Sequence, residues 1–111
     1  MKLAKRTTEE LRAADFAVLA EIVCRHFRVS VDDTLSGNRQ LVFTRPRNVI
    51  AALWSNWATL ADAAARCGLK TPQNASGARK AVEKMQFDGK LGRTLAACMD
   101  EVQEELPHLM L

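Results

Sequence analysis

TLADAAARCGLKTPQNASGARKAVEKM, Thr59 to Met85, is the stretch whose reading decides the fold. Thr59 to Cys67 is rich in alanine, the best helix former, and Gly68 follows where a left-handed residue closes a short helix. After Leu69 and Lys70, Thr71 is suited to cap a second helix. Pro72 then takes the first position, where its missing N–H costs nothing. Ala75, Ala78 and Val82 carry that helix to about Met85, with Gly77 as a mild weak point. Ala64 lies four residues before Gly68, where a small side chain lets two helices cross closely.

Two helices joined by a turn at glycine, spanning about 59–86, have the anatomy of a helix-turn-helix. An ordinary helical hairpin has it too. In the helix-turn-helix geometry the second helix offers its N-terminal residues to the major groove of double-stranded DNA. Lys70, Thr71, Gln73, Asn74, Ser76 and Arg79 are then the candidate contacts. Gln73 and Asn74 match the paired donor and acceptor of adenine, whereas Lys70 and Arg79 suit phosphate or guanine.

Outward from this unit the chain reads as helix throughout. Toward the N-terminus, Thr7 with Glu10 forms a capping box, and Phe16, Leu19, Ala20, Val23, Cys24 and Phe27 recur at helical spacing. Ser30 with Asp33 opens a short helix that lays Val31 and Leu35 on the core before Ser36, Gly37 and Asn38 break it. A loop is expected from Ser36 to Thr44, with Thr44 as cap and Pro46 in the first turn of a third helix. Ile50, Leu53, Trp54 and Trp57 form the buried face of that helix. On the C-terminal side Gly89 marks a break, and Leu91, Leu95, Cys98, Met99 and Val102 define a last helix that Pro107 ends. Only Leu41, Val42 and Phe43 offer a short β-like run. The expected fold is all-α, five to six helices in a single domain over 1–111, with a basic loop at about 36–47.

Composition agrees with one domain. Of 111 residues, 48% are hydrophobic and 26% charged, enough to bury a core and close to the ordinary globular share. No apolar run is long enough for a membrane span, and the charged start (Lys2, Lys5, Arg6, Glu9, Glu10) is followed by no signal region. The expectation is a cytoplasmic protein with no membrane partner. Cys24, Cys67 and Cys98 are odd in number and far apart, as expected of reduced core thiols and not of a metal site. No metal or other cofactor is expected.

The net charge of +3 is unevenly spread. Residues 1–24 balance four basic against four acidic side chains, residues 25–93 hold twelve basic against five acidic, and residues 94–111 carry only Asp100, Glu101, Glu104 and Glu105. The basic middle is the footprint of a surface that meets phosphates, although a basic stretch is commonly just a solvated face.

Several pieces carry a resemblance. Ile22-Val23 and Phe27-Arg28-Val29 precede a short helix and Leu35-Ser36. A loop ending in Arg45-Pro46-Arg47 leads to Ala51-Ala52-Leu53. Leu60 to Gly68 follows, and then Ala78-Arg79-Lys80 before Val82. Over Glu21 to Val82, and more loosely Asp15 to Val102, this resembles the C-terminal DNA-binding domain of the bacterial chromosomal replication initiator DnaA, a fold grouped with the Trp repressor.

The resemblance implies that the basic loop sends Arg39 into the minor groove, that Arg47, just past the proline, contacts DNA, and that Arg45 adds charge to the same surface. Guanidinium suits both tasks. Two departures matter. Gly37, Asn38 and Leu41 stand where the family commonly has basic residues, which lowers phosphate affinity. Thr71-Pro72-Gln73-Asn74 replaces the family's Asp-His-Thr/Ser-Thr signature, so recognition of the initiator box does not carry over. The family's ATP-binding module, with its GxxxxGK[ST] loop, has no counterpart in this sequence.

No enzyme is expected. His26 sits where a cation meets the end of the first helix, His108 lies in the tail, and Asp32-Asp33, Glu9-Glu10 and Glu104-Glu105 are adjacent pairs that point apart. Two functions compete. One is a DNA-binding accessory factor in replication initiation or a regulator, favoured by Arg39, Arg45, Arg47 and the basic middle. The other is a protein-interaction module that docks on the initiator or another replication protein, favoured by the lost signature. A homodimer would suit either role, since two half-sites raise specificity. The tail residues Leu106, Leu109, Met110 and Leu111 read as a frayed terminus or a contact surface.

Overall fold

Helix signals dominate the sequence, and a computed structural model of the protein, which describes residues 8–107, is helical from end to end. The elements are α1 (Thr8–Phe27), α2 (Val31–Leu35), α3 (Leu41–Trp54), α4 (Leu60–Arg66), α5 (Pro72–Met85) and α6 (Gly89–Glu105). No strand occurs among the described residues, and Leu41, Val42 and Phe43 form the first turn of α3. Thr7 of the expected capping box, His108, and the tail residues Leu109, Met110 and Leu111 lie outside the described residues. No helix among the described residues is long and apolar enough to cross a membrane.

Local signals in the α4–α5 unit act as their chemistry predicts. The Thr59 hydroxyl accepts the Asp62 N–H at 3.0 Å and the Thr71 hydroxyl accepts the Asn74 N–H at 3.3 Å, so each helix starts on a side-chain cap. Pro72 occupies the first turn of α5. Gly68 closes α4 with φ +71°, and a Cβ there would stand 2.5 Å from the Leu35 carbonyl oxygen. Glycine is thus required twice, for backbone conformation and for the close approach of the α2–α3 connection. Ser30 caps α2 through the Asp33 N–H at 3.1 Å, and Asp33 accepts the Ser30 hydroxyl in return at 2.8 Å.

Helix α3 is the central strut, packing on α1, α2, α4 and most extensively on α5. Val49, Ile50, Ala51, Leu53 and Trp54 join Phe16, Leu19, Ile22 and Val23 of α1, Ala63 and Ala64 of α4, Ala75 and Ala78 of α5, and Leu95 and Val102 of α6 in one core. Trp54 lies edge-on to Phe16, with ring centroids 5.3 Å apart. Its indole N–H donates to Asp62 Oδ2 at 2.6 Å, and Arg66 Nε donates to the same oxygen at 3.0 Å. Arg66 also pairs with Glu9 Oε1 at 2.6 Å, and its guanidinium lies 5.7 Å from the Trp54 ring and 5.8 Å from the Phe16 ring.

Four expectations change. Helix α3 starts at Leu41, five residues before Pro46, because Asn38 Oδ1 accepts the Gln40 N–H at 2.9 Å and the Gln40 carbonyl accepts the Phe43 and Thr44 N–H groups at 2.9 and 3.0 Å. The loop therefore shortens to Ser36–Gln40 and Thr44 is not a cap. Pro46 sits in the second turn, and the carbonyl left without a helical donor belongs to Val42, which is exposed to solvent. Trp57 lies beyond the end of α3, in the turn before α4, half-buried and edge-on to Trp54 at 6.2 Å. Met99 is exposed on α6, whereas Leu106 is buried in the core, its N–H bonded to the Val102 carbonyl at 2.7 Å.

All three cysteines are free and buried. Burial pushes the Cys67 and Cys98 thiols up to about 12 and raises that of Cys24.

Candidate functional site

The basic segment and the α4–α5 turn meet because Gly68 lets the turn lie against the Leu35 carbonyl. Between them is an open cavity of about 270 Å³ lined by Gly37, Arg39, Arg47, Gly68, Leu69, Lys70 and Asn74. Three of its seven lining residues are cations and none is a carboxylate. Ion pairs form elsewhere, among them Arg25 and His26 with Glu101 and Arg66 with Asp62 and Glu9. Arg39 and Lys70 are exposed, so their charge is available at the cavity mouth. Asn74, in the first turn of α5, adds an amide that donates and accepts.

Arg47, expected as a DNA contact, lines the cavity from within the fold. It is only 5% exposed. Its Nε donates to the Thr34 carbonyl at 2.7 Å and its Nη2 donates to the Asn38 carbonyl. Burial lowers the basicity of the guanidinium. The side chain therefore works from beneath, tying the end of α2 and the loop bearing Arg39 to the flank of α3. Thr34, buried and donating to the Ser30 carbonyl at 2.7 Å, completes that base.

The other sequence-predicted residues do not line the cavity. Arg45 is exposed on α3, and Thr71 is exposed with its hydroxyl spent on the cap. Helical geometry spreads the rest around α5. Ala75, Ala78 and Met85 face the core, Gln73 faces away from it, and Asn74 and Arg79 fall on opposite flanks. Ser76 is half-buried. Lys80 and Lys84 share the outward face with Gln73, a spacing of seven and four residues that is readable in the sequence once the buried face is fixed. Gly77 is on that face, and a Cβ there would meet nothing within 4 Å.

Chemically, the arrangement can bind an anion through exposed guanidinium and ammonium groups and can present amides to hydrogen-bonding edges along α5. No group of three or more His, Cys, Asp or Glu among the described residues is placed to hold a metal ion. Comparison with known proteins yields no matching family model, no matching curated protein and no matching solved structure.

Proposed function

We propose that the chain binds double-stranded DNA as a helix-turn-helix protein related to the initiator's DNA-binding domain, acting as an accessory factor in replication initiation or as a regulator. The observation that carries this reading is the carboxylate-free cavity where Arg39 and Lys70 converge beside the N-terminal turn of α5. In this reading α5 enters the major groove with Gln73 and Asn74 toward base edges, and Arg45, Arg79, Lys80 and Lys84 follow the phosphates. Arg39 reaches the backbone or the adjacent minor groove from a loop that Arg47 holds in place.

Fluorescence anisotropy with random-sequence and initiator-box duplexes at two salt concentrations tests it. Wild type is expected to bind with a steep salt dependence. The Arg39→Ala, Lys70→Ala double variant is expected to bind roughly tenfold or more weakly and to lose about two units of salt slope. No binding of wild type even at low salt would refute the reading. Docking on the initiator or another replication protein is the second reading, and a specific observation favours it. Leu41 and Val42, 59% and 52% exposed, stand side by side next to the basic loop.

A further inference from the structure

A second cavity lies apart from the α4–α5 turn. It has a volume of about 470 Å³ and forms where the end of α1 meets the start of α6, lined by His26, Phe27, Arg28, Lys90, Leu91 and Thr94. It shares no residue with the cavity beside α5. Its volume falls within the usual range for small-molecule sites.

The way α1 ends puts Arg28 there. The Arg28 N–H returns to the Arg25 carbonyl at 3.2 Å and the Val29 N–H to the Cys24 carbonyl at 3.0 Å, a wrapped terminus that needs a left-handed residue at position 28. Glycine is the usual occupant. Here the position is arginine, with φ +59°, the only non-glycine residue with positive φ among the described residues. An L side chain is sterically costly at that φ, and this one is a cation on the cavity wall.

The charge balance of the wall is one-sided. Glu101 accepts from His26 Nε2 at 2.8 Å through one oxygen and pairs with Arg25 at 2.8 Å through the other, so both of its oxygens are engaged. Asp88 Oδ1 accepts the Lys90 and Leu91 N–H groups at 3.1 and 2.9 Å. Those bonds occupy the Lys90 and Leu91 amides, so these two residues can meet an anion only through their side chains. Arg28 and Lys90 are exposed cations, whereas Phe27 and Leu91 are half-buried and supply an aromatic and an aliphatic surface beside them. A phosphomonoester carries up to two negative charges, which two such cations can balance, and a flat ring gains by lying on a phenyl face.

We infer that this cavity binds a small phosphomonoester bearing a flat ring, a ligand of the mononucleotide class, with its phosphate between Arg28 and Lys90 and its ring on Phe27 and Leu91. The site is separate from the DNA-binding reading and stands or falls without it.

Amide chemical-shift titration of the full chain tests the inference, using adenosine monophosphate, adenosine and inorganic phosphate as probes. Wild type, Arg28→Gly and Lys90→Gln are compared. Arg28→Gly removes the cation while relieving the left-handed backbone, so its melting temperature should equal or exceed that of wild type, which separates lost binding from lost folding. The expected result is saturable movement of the Phe27, Leu91 and Thr94 amides with the nucleotide. Affinity should be at least tenfold weaker for adenosine or phosphate alone, and at least tenfold weaker for the nucleotide in either variant. The inference is overturned by the absence of saturable shifts in wild type, by phosphate binding as tightly as the nucleotide, or by variants that bind like wild type. It is also overturned if duplex DNA moves the same amides and displaces the nucleotide, because the cavity would then belong to a nucleic-acid surface.

Discussion

Two arginines among the described residues are largely withdrawn from solvent, and their surroundings differ in kind. At the α3–α4 end, Arg66 meets the carboxylates of Asp62 and Glu9 and the faces of Trp54 and Phe16, so its charge is cancelled where it stands. At the α2–α3 end, Arg47 meets only the carbonyls of Thr34 and Asn38, and the neighbouring Arg39 and Lys70 have no carboxylate beside them in the cavity. The first region has its electrostatics closed within the fold. The second satisfies the hydrogen bonds of its buried cation and leaves positive charge over. The difference is that Arg66 is a joint whose charge is cancelled within the fold, whereas Arg47 is a clasp beside exposed cations whose charge is left uncancelled, as the proposed DNA-binding surface requires.

The sharpest way to break the contrast is Gly68→Ala. The new Cβ would meet the Leu35 carbonyl oxygen at 2.5 Å in a backbone held at φ +71°. Strain and clash together should cost roughly 3 kcal/mol or more. Denaturant unfolding would show a large fall in midpoint, and the α2–α3 connection would separate from the α4–α5 turn. A loss below about 1 kcal/mol would mean the two segments are not pressed together, and the cavity between them would lose its basis.

Arg47→Met should come next, at about 2–3 kcal/mol, because it abandons the buried Thr34 carbonyl. It also separates clasp from contact. If Arg47 acts only from beneath, Arg47→Met lowers stability and weakens DNA binding through disorder of the Arg39 loop, whereas Arg39→Ala weakens binding and leaves the melting temperature unchanged. Equal stability of wild type and Arg47→Met would return Arg47 to the role of direct contact.

At the closed region Asp62→Asn should cost about 1–2 kcal/mol at neutral pH. Burial pushes the Asp62 carboxyl up, but hydrogen bonds from Trp54 and Arg66 and the guanidinium charge outweigh it and hold the group below its ordinary value. A carboxyl lowered in the folded state stabilises above its unfolded value, near pH 4, and that contribution disappears as pH falls through the folded value. Unfolding curves should therefore show wild type losing its advantage over Asp62→Asn as the solution is acidified below about pH 4. A stability difference constant with pH would show that the pairing is not electrostatic.

The smallest effect sharpens the comparison. Gly77→Ala adds a methyl in open space on the outward face of α5 and should raise stability by about 1 kcal/mol, read as a higher melting temperature. If that face lies against DNA, affinity in the anisotropy measurement falls severalfold at the same time. A gain in stability with unchanged affinity would take Gly77 out of the contact surface and leave the cavity at Arg39 and Lys70 as the seat of binding.

How far each of these features was legible in the sequence depends on range. The starts of α2 and α5 are written within four residues, in Ser30 with Asp33 and in Thr71-Pro72, and both caps form as read, while Thr59, read only as the start of an alanine-rich stretch, proves to cap α4. The start of α3 is not so written. Gln40 makes no side-chain cap, Leu41-Val42-Phe43 has a β-favouring composition, and Pro46 invites a later start. The observed start rests on Asn38 turning the backbone at Gln40, a bond that competes on equal terms with others in the sequence. The all-helical class and most of the core follow from periodicity alone.

The candidate site divides in the same way. Arg39, Lys70 and Asn74 were readable as charged or amide residues beside turns, and the fold brings them to one cavity. The burial of Arg47 was not readable, because its partners Thr34 and Asn38 lie thirteen and nine residues away and offer backbone carbonyls, which every residue has. The Trp54–Asp62 bond is equally silent in sequence. Arg28 was visible as a residue, but its left-handed backbone depends on where α1 stops, and helix ends are the least certain part of any pattern.

The three enclosed sulfurs make the two halves of the molecule separately observable. With Cys67 and Cys98 held as neutral thiols to about pH 12 and Cys24 shifted in the same direction, none reacts with an alkylating reagent at neutral pH while covered. Modification must wait for opening, and each sulfur is then a clock for its own neighbourhood. Cys67, at the end of α4 beneath the Gly68 turn, times the release of the α4–α5 unit. Cys24 and Cys98, on α1 and α6, time the parting of those two helices. Mass spectrometry of partly labelled protein would show whether the halves come apart together or in sequence.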